Sequence, residues 1–132
     1  MERDDLRQNP GLKGKNISLP VVTNALTHGI SMMGYMFVND GDEVIVPDLF
    51  WGNYNLILNH GYGAELQKYR LFDGEKLDMA SFKASLEEGG IGKKMVILNF
   101  PNNPTGYSPT IGEAQEIAAI IKESAEAGNK IV

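Results

Sequence analysis

The chain has 132 residues, of which 42% are hydrophobic and 22% charged, with a net charge of −5; that is enough for one core, and with no basic run beyond Lys13/Lys15 and Lys93-Lys94 it argues against nucleic acid as a partner. There is no cysteine, and His28 and His60, the two histidines, have no neighbour at ligand spacing, so disulfides, thiolate chemistry and a metal site are not expected. No apolar run approaches the roughly 20 residues of a membrane span, and the charged start, Met1-Glu2-Arg3-Asp4-Asp5, lacks the apolar stretch of a signal peptide, which makes the cytoplasm the expected location.

Residues 1–16 are polar and turn-rich (Asn9-Pro10-Gly11, Gly14) and read as a connector. Ile17 to Val22 is a short apolar run, readable as a strand or as the approach to a helix. Asn24 is an N-cap candidate, and Leu26, Ile30, Met33 and Phe37 follow at helical spacing. Asn39-Asp40-Gly41-Asp42 is a turn. Glu43 to Val46 predicts a buried strand stopped by Pro47. A helix is expected over Trp51 to Leu58, ending at Asn59-His60-Gly61, and a strand over Ala64 to Leu71. Asp78 caps a helix to Glu88 that carries Met79, Phe82 and Leu86 on one face, and Gly89-Gly90 closes it. Lys94 to Phe100 predicts a strand. Thr110, with Glu113 three residues on, is a capping box for a helix to Ala127, closed by Gly128. Ile131-Val132 reads as the start of one more strand. Strand–helix alternation at this spacing predicts a three-layer α/β fold, a mainly parallel sheet with helical crossovers. Because that last strand is barely begun, residues 17–132 are expected to be part of a larger domain.

The most informative segment is Asn99-Phe100-Pro101-Asn102-Asn103-Pro104-Thr105-Gly106. It follows the apolar run Met95 to Leu98, so its amides fall at the carboxyl edge of the predicted sheet, where open α/β folds bind ligands. The prolines fix φ and hold their neighbours extended, which aims the side chains. On local grounds alone Asn103 is a turn residue and Trp51, the one tryptophan, a core aromatic. Tyr54, Tyr62 and Tyr69 read as half-buried packing residues with wet hydroxyls, and His28 as a satisfied histidine.

This segment, together with Trp51-Gly52-Asn53, resembles the signatures of class I/II aminotransferases of fold type I, aspartate and aromatic type. The resemblance covers about Ile17 to Val132 and implies pyridoxal 5′-phosphate (PLP) as cofactor, amino acid and 2-oxo acid as substrates, and a homodimeric parent. It implies that Asn103 donates to the phenolic oxygen of the cofactor and stabilises the oxyanion form. It implies that Trp51 stacks on the pyridine face. Thr23, Asn24 and Ala25 fall where the family holds the phosphate, at a helix N-terminus. There the match is partial: Val21-Val22 stand where Gly or Ser is usual, and a plain N-cap by Asn24 is the competing reading. The family's Schiff-base Lys, its pyridine-nitrogen Asp in Asp-x-x-Tyr, and its substrate-gripping Arg have no counterpart in this sequence, so the chain by itself is expected to be inactive. Relatives often hold the peptide before this proline in cis, and a cis Asn103–Pro104 bond is expected. Lyases and decarboxylases share the scaffold, and a non-catalytic doubly wound binding module is the alternative from another class.

Overall fold

The computed structural model describes residues 8–132. The opening seven residues of the expected connector lie outside the described residues; the rest contains a short 3₁₀ turn, Pro10–Leu12. The run Ile17 to Val22 is neither strand nor helix. It is irregular, with Leu19 and Val21 largely exposed.

Helix α1 (Ala25–Phe37) precedes strand β1 (Glu43–Pro47). Helix α2 (residues 53–62) is π-helical over Asn55–His60 and leads to β2 (Glu65–Tyr69). A small hairpin, β3 (Phe72–Asp73) and β4 (Lys76–Leu77), comes before helix α3 (Met79–Glu87). Strand β5 (Lys93–Val96), helix α4 (Ile111–Glu126) and β6 (Lys130–Ile131) complete the order. The main sheet runs β2-β1-β5-β6 with all neighbours parallel, which is the expected α/β class.

Successive side chains of a strand face opposite ways, and here both faces are buried. Ile45, Tyr69, Val96 and Ile131 pack with Phe82 and Leu86 of α3 and Ile117 and Ile120 of α4. Val44, Val46, Met95 and Val132 face the other way, with Leu58 of α2 and Ile30 of α1. The result is three layers: α1 and α2, the sheet, then α3 and α4.

Pro47 ends the pairing of β1 with β5. Ile97 N–H donates to the Ile45 carbonyl (3.0 Å). The next rung would need an N–H from residue 47, and proline has none. The expected strand to Phe100 therefore stops at Val96, and Leu98 to Phe100 leave the sheet as an irregular segment. Helix α2 starts later and ends later than the sequence suggests. Asn59, read as part of a stop, accepts the Gly63 N–H at its carbonyl (2.8 Å) and donates its side-chain amide to the Ala64 carbonyl (2.7 Å). The chain turns at Gly63, whose φ of +73° and contact with Asp40 leave no room for a Cβ.

Two predicted caps are formed. Asp78 accepts from Ser81 N–H (2.9 Å), and Thr110 and Glu113 make a reciprocal capping box. The cap expected from Asn24 is absent. Its side chain makes no capping bond, and its backbone N–H donates to His28 Nδ1 (3.1 Å) instead. The cause is local: Ala25, at the first helical position, has φ of +69°, which turns Asn24 out of capping geometry.

Candidate functional site

The carboxyl ends of β1 and β5 lie side by side in the sheet, and each leads into a loop that carries a predicted cofactor residue. Residues 48–52 follow β1 and hold Trp51. Residues 97–110 follow β5 and hold Asn103. Both Phe100–Pro101 and Asn103–Pro104 peptides are cis, the second as expected.

Asn102, which the sequence reading passed over, joins the two loops. It is 4% exposed, whereas its neighbour Asn103 is exposed. The Asn102 Nδ2 donates to the Leu49 carbonyl (3.1 Å). Its Oδ1 accepts from Thr105 Oγ1 (2.7 Å) and Thr105 N–H (3.2 Å). Its backbone N–H donates to the Tyr107 carbonyl (2.7 Å), and its carbonyl accepts from Gly106 N–H (2.6 Å). Every polar group of this buried residue is thus satisfied. The side chain of Asn103 has no hydrogen bond to any described residue, so its amide is available to a ligand.

Trp51 is partly buried against the α1/α2 side of the sheet, its ring nearly perpendicular to that of Tyr54 (84°) at a centroid distance of 5.7 Å. Tyr54 and Tyr69 are buried, not half-buried as the sequence suggests. Burial raises both phenols, and the charge of Asp48 helps push Tyr69 up to about 12. For Tyr54 the Asn99 amide acts in the opposite direction. Tyr62 shares a hydrogen bond with Ser31 Oγ (3.0 Å) and is a packing residue.

Thr23 and Asn24 are held within their own turn. Thr23 Oγ1 donates to the Ala25 carbonyl (3.1 Å), and Asn24 N–H is taken by His28, so His28 is satisfied. A pocket of about 210 Å³ lies between α1 and the sheet, lined by Leu26, Ile30, Met33, Tyr54 and Asn99 among others. None of Trp51, Asn103, Thr23 and Asn24 lines it, and its walls are too apolar for an anion.

A second feature the sequence revealed only in part is Glu113. Besides capping α4, its carboxylate accepts from Leu77 N–H (3.1 Å) and from the Tyr107 hydroxyl (2.9 Å), so it ties the β3–β4 hairpin and the β5 loop to the helix. The backbone N–H of Thr110, then that of Leu77, hold its carboxyl down to about 2. Tyr107 stands edge-on to Phe72 at 5.1 Å, which anchors the far end of the loop. The capping-box spacing was visible in sequence; the partners Leu77 and Tyr107 depend on tertiary structure.

Fold and edge together define an open, parallel α/β sheet whose adjacent carboxyl-end loops carry an aromatic ring and an amide bonded to no described residue. The chain belongs to the aminotransferase class I and II family, whose model matches residues 5–126. It is 31% identical over 104 residues to the aromatic-amino-acid aminotransferase of Paracoccus denitrificans, covering 77% of this chain and 26% of that protein. Among solved structures, an aminotransferase from Anaerococcus prevotii superposes with a TM-score of 0.67 at 28% identity, covering 80% of this chain and 26% of the other. The alanine aminotransferase of Pyrococcus furiosus shares the fold over 98% of this chain and 31% of its own, with a TM-score of 0.71 at 22% identity. The chain spans about a quarter of the length of curated relatives it matches.

Proposed function

We propose that this chain is the part of a PLP-dependent aminotransferase large domain that grips the ring of the cofactor, and that residues 17–132 belong to that domain. The parent protein would move an amino group from an amino acid to a 2-oxo acid, in the cytoplasm, as a homodimer. One observation carries the reading above the others: an unengaged Asn103 amide and the Trp51 ring stand on adjacent sheet-edge loops joined by Asn102. That donor set fits the ring end of PLP. Asn103 would donate to its phenolic oxygen, and a charge-assisted bond to that oxyanion is the stronger kind. Trp51 would cover one face of the electron-poor ring and keep water from it. When bound, PLP would supply the electron sink for the reaction.

The phosphate end fits less fully. Thr23 and Asn24 would lie at that end, at the start of α1, where orphan N–H groups favour anions. Their present bonds to Ala25 and His28 would have to be exchanged for bonds to phosphate. None of the lysines here stands in the family's Schiff-base motif, so the covalent anchor, the pyridine-nitrogen Asp and the carboxylate-gripping Arg would come from outside this sequence. The scaffold alone does not choose between transamination and lyase or decarboxylase chemistry; the similarity to proteins named as aminotransferases supports transamination.

The test is an assay of the natural full-length protein with PLP, a panel of amino acids and a 2-oxo acid acceptor. PLP-dependent formation of the new amino acid is expected, while the isolated 132-residue chain gives none. Carbon dioxide or elimination products without amino transfer would point to the lyase reading. Turnover by the isolated chain would contradict the assignment of the chemistry to other segments.

A further inference from the structure

We propose that Asn102 is a positioning residue that sets the spacing between the Trp51 ring and the Asn103 amide. The proposal rests on the cofactor reading of those two residues. Its physical basis is the way the β1–α2 loop is held from both sides. Toward β2, Asp48 N–H donates to the Tyr69 carbonyl (2.7 Å), and the Asp48 carboxylate accepts from Leu71 N–H (3.0 Å). Toward β5, the Asn102–Leu49 bond is the hydrogen bond that reaches this loop from the Asn103 loop. Leu49 is two residues before Trp51 and Asn102 is one before Asn103, so little slack lies between the clasp and the groups it would position. Pro47 ends the β1–β5 ladder just below, so beyond Ile97 the sheet itself no longer sets the separation of the two loops. A side-chain clasp takes over where the ladder stops.

Asn102 does two separable things. Its Oδ1 folds the local turn onto Thr105, and its Nδ2 crosses to Leu49. Asn102→Asp keeps an acceptor for Thr105 and removes the donor to Leu49, placing carboxylate oxygen against carbonyl oxygen. A carboxylate at this buried position costs stability whatever the role, so the distinguishing readout is the position of the Trp51 loop. A residue that merely shapes its own turn leaves that loop in place; one that positions it lets the loop move, because the Leu49 carbonyl loses its partner and turns to water.

Trp51 is the one tryptophan of the chain, so its fluorescence reports on this loop alone. The experiment compares the full 132-residue chain with its Asn102→Asp, Asn102→Ala and Asn103→Ala variants. It follows Trp51 emission and acrylamide quenching without ligand, then Trp51 quenching on titration with PLP, with far-ultraviolet circular dichroism as the check on fold. The expected result has three parts. Asn102→Asp and Asn102→Ala shift Trp51 emission to the red and raise its quenching by acrylamide with the circular dichroism kept. Asn103→Ala leaves the ligand-free Trp51 signal as in the wild type. The Asn102 variants bind PLP about tenfold more weakly, the size of one lost part-buried hydrogen bond. An Asn102→Asp chain with wild-type Trp51 emission and quenching would overturn the proposal, even if its melting temperature fell. Should the isolated wild-type chain, which lacks the anchors assigned to other segments, fail to bind PLP, the cofactor reading is decided by the assay of the natural full-length protein, and the ligand-free comparison of Asn102→Asp with Asn103→Ala still decides whether Asn102 holds the Trp51 loop.

Discussion

Asn102 and Asn103 are adjacent in sequence and opposite in environment. One is buried with all its polar groups engaged, and the other is exposed with an amide bonded to no described residue. Two amides in a proline-rich turn look alike in sequence, and only the carbonyl of Leu49, some fifty residues upstream, tells them apart. Trp51 was legible as a site candidate because it is unique and sits in a recognisable tripeptide. Its packing on Tyr54 was not, since that depends on the turn of α2. Trp51→Ala in the natural full-length protein is expected to weaken PLP retention and turnover with the fold intact, because stacking contributes about 0.5–1.5 kcal/mol beyond area. Thermal denaturation beside cofactor release separates this from a core role; an insoluble variant would favour the core role. Glu113 gives a pH prediction. Its carboxyl is held down to about 2 from an ordinary 4.5, so its contribution to stability is full above pH 4.5 and is lost as pH falls through 2. Glu113→Ala should therefore destabilise the chain by about 1–2 kcal/mol at neutral pH, the worth of a cap, and the difference from wild type should shrink in acid. Urea titrations at pH 7 and pH 3 measure both.

At the scale of elements, Asp78 and Thr110 announced α3 and α4 because their caps are local, made to backbone three residues on. Asn24 failed as a cap although its residue type was right, because the positive φ of Ala25 is set by the turn and not by residue preference. The β3–β4 hairpin went unread; Asp73-Gly74 was its only signal, and two-residue strands carry no period to detect. Strand β5 was read too long because apolar residues continue past Val96, while the limit comes from a proline on the neighbouring strand. The contact between α1 and α2 is a further feature that no single segment contains. A Cβ at Gly34 would lie 2.4 Å from the Tyr62 ring, so helix backbone meets aromatic face there. Gly34→Ala should destabilise by about 1–3 kcal/mol through overpacking. A chemical denaturation midpoint equal to that of the wild type would show that Tyr62 can step aside at no cost.

For the whole molecule, the sequence was enough for the three-layer class, because both faces of every central strand are apolar and the helices alternate with them. The proposed site was named from sequence at Asn103 and Trp51, which the structure puts on adjacent sheet-edge loops, and at Thr23 and Asn24, which bond within their own turn. Several large apolar side chains are exposed, among them Val21 at 85%, Ile111 at 80% and Tyr35 at 75%. No helix among the described residues is long and apolar enough to cross a membrane. The central claim is that the carboxyl edge of this sheet holds PLP, with Asn103 on its phenolic oxygen. The most direct measurement is the pH dependence of the cofactor absorbance band in the natural full-length protein and its Asn103→Ala variant. An amide that stabilises the oxyanion lowers the pH at which the band changes, so the account predicts that the transition moves to higher pH in Asn103→Ala. A transition at the same pH in both proteins, or no cofactor band in the wild type, would contradict it.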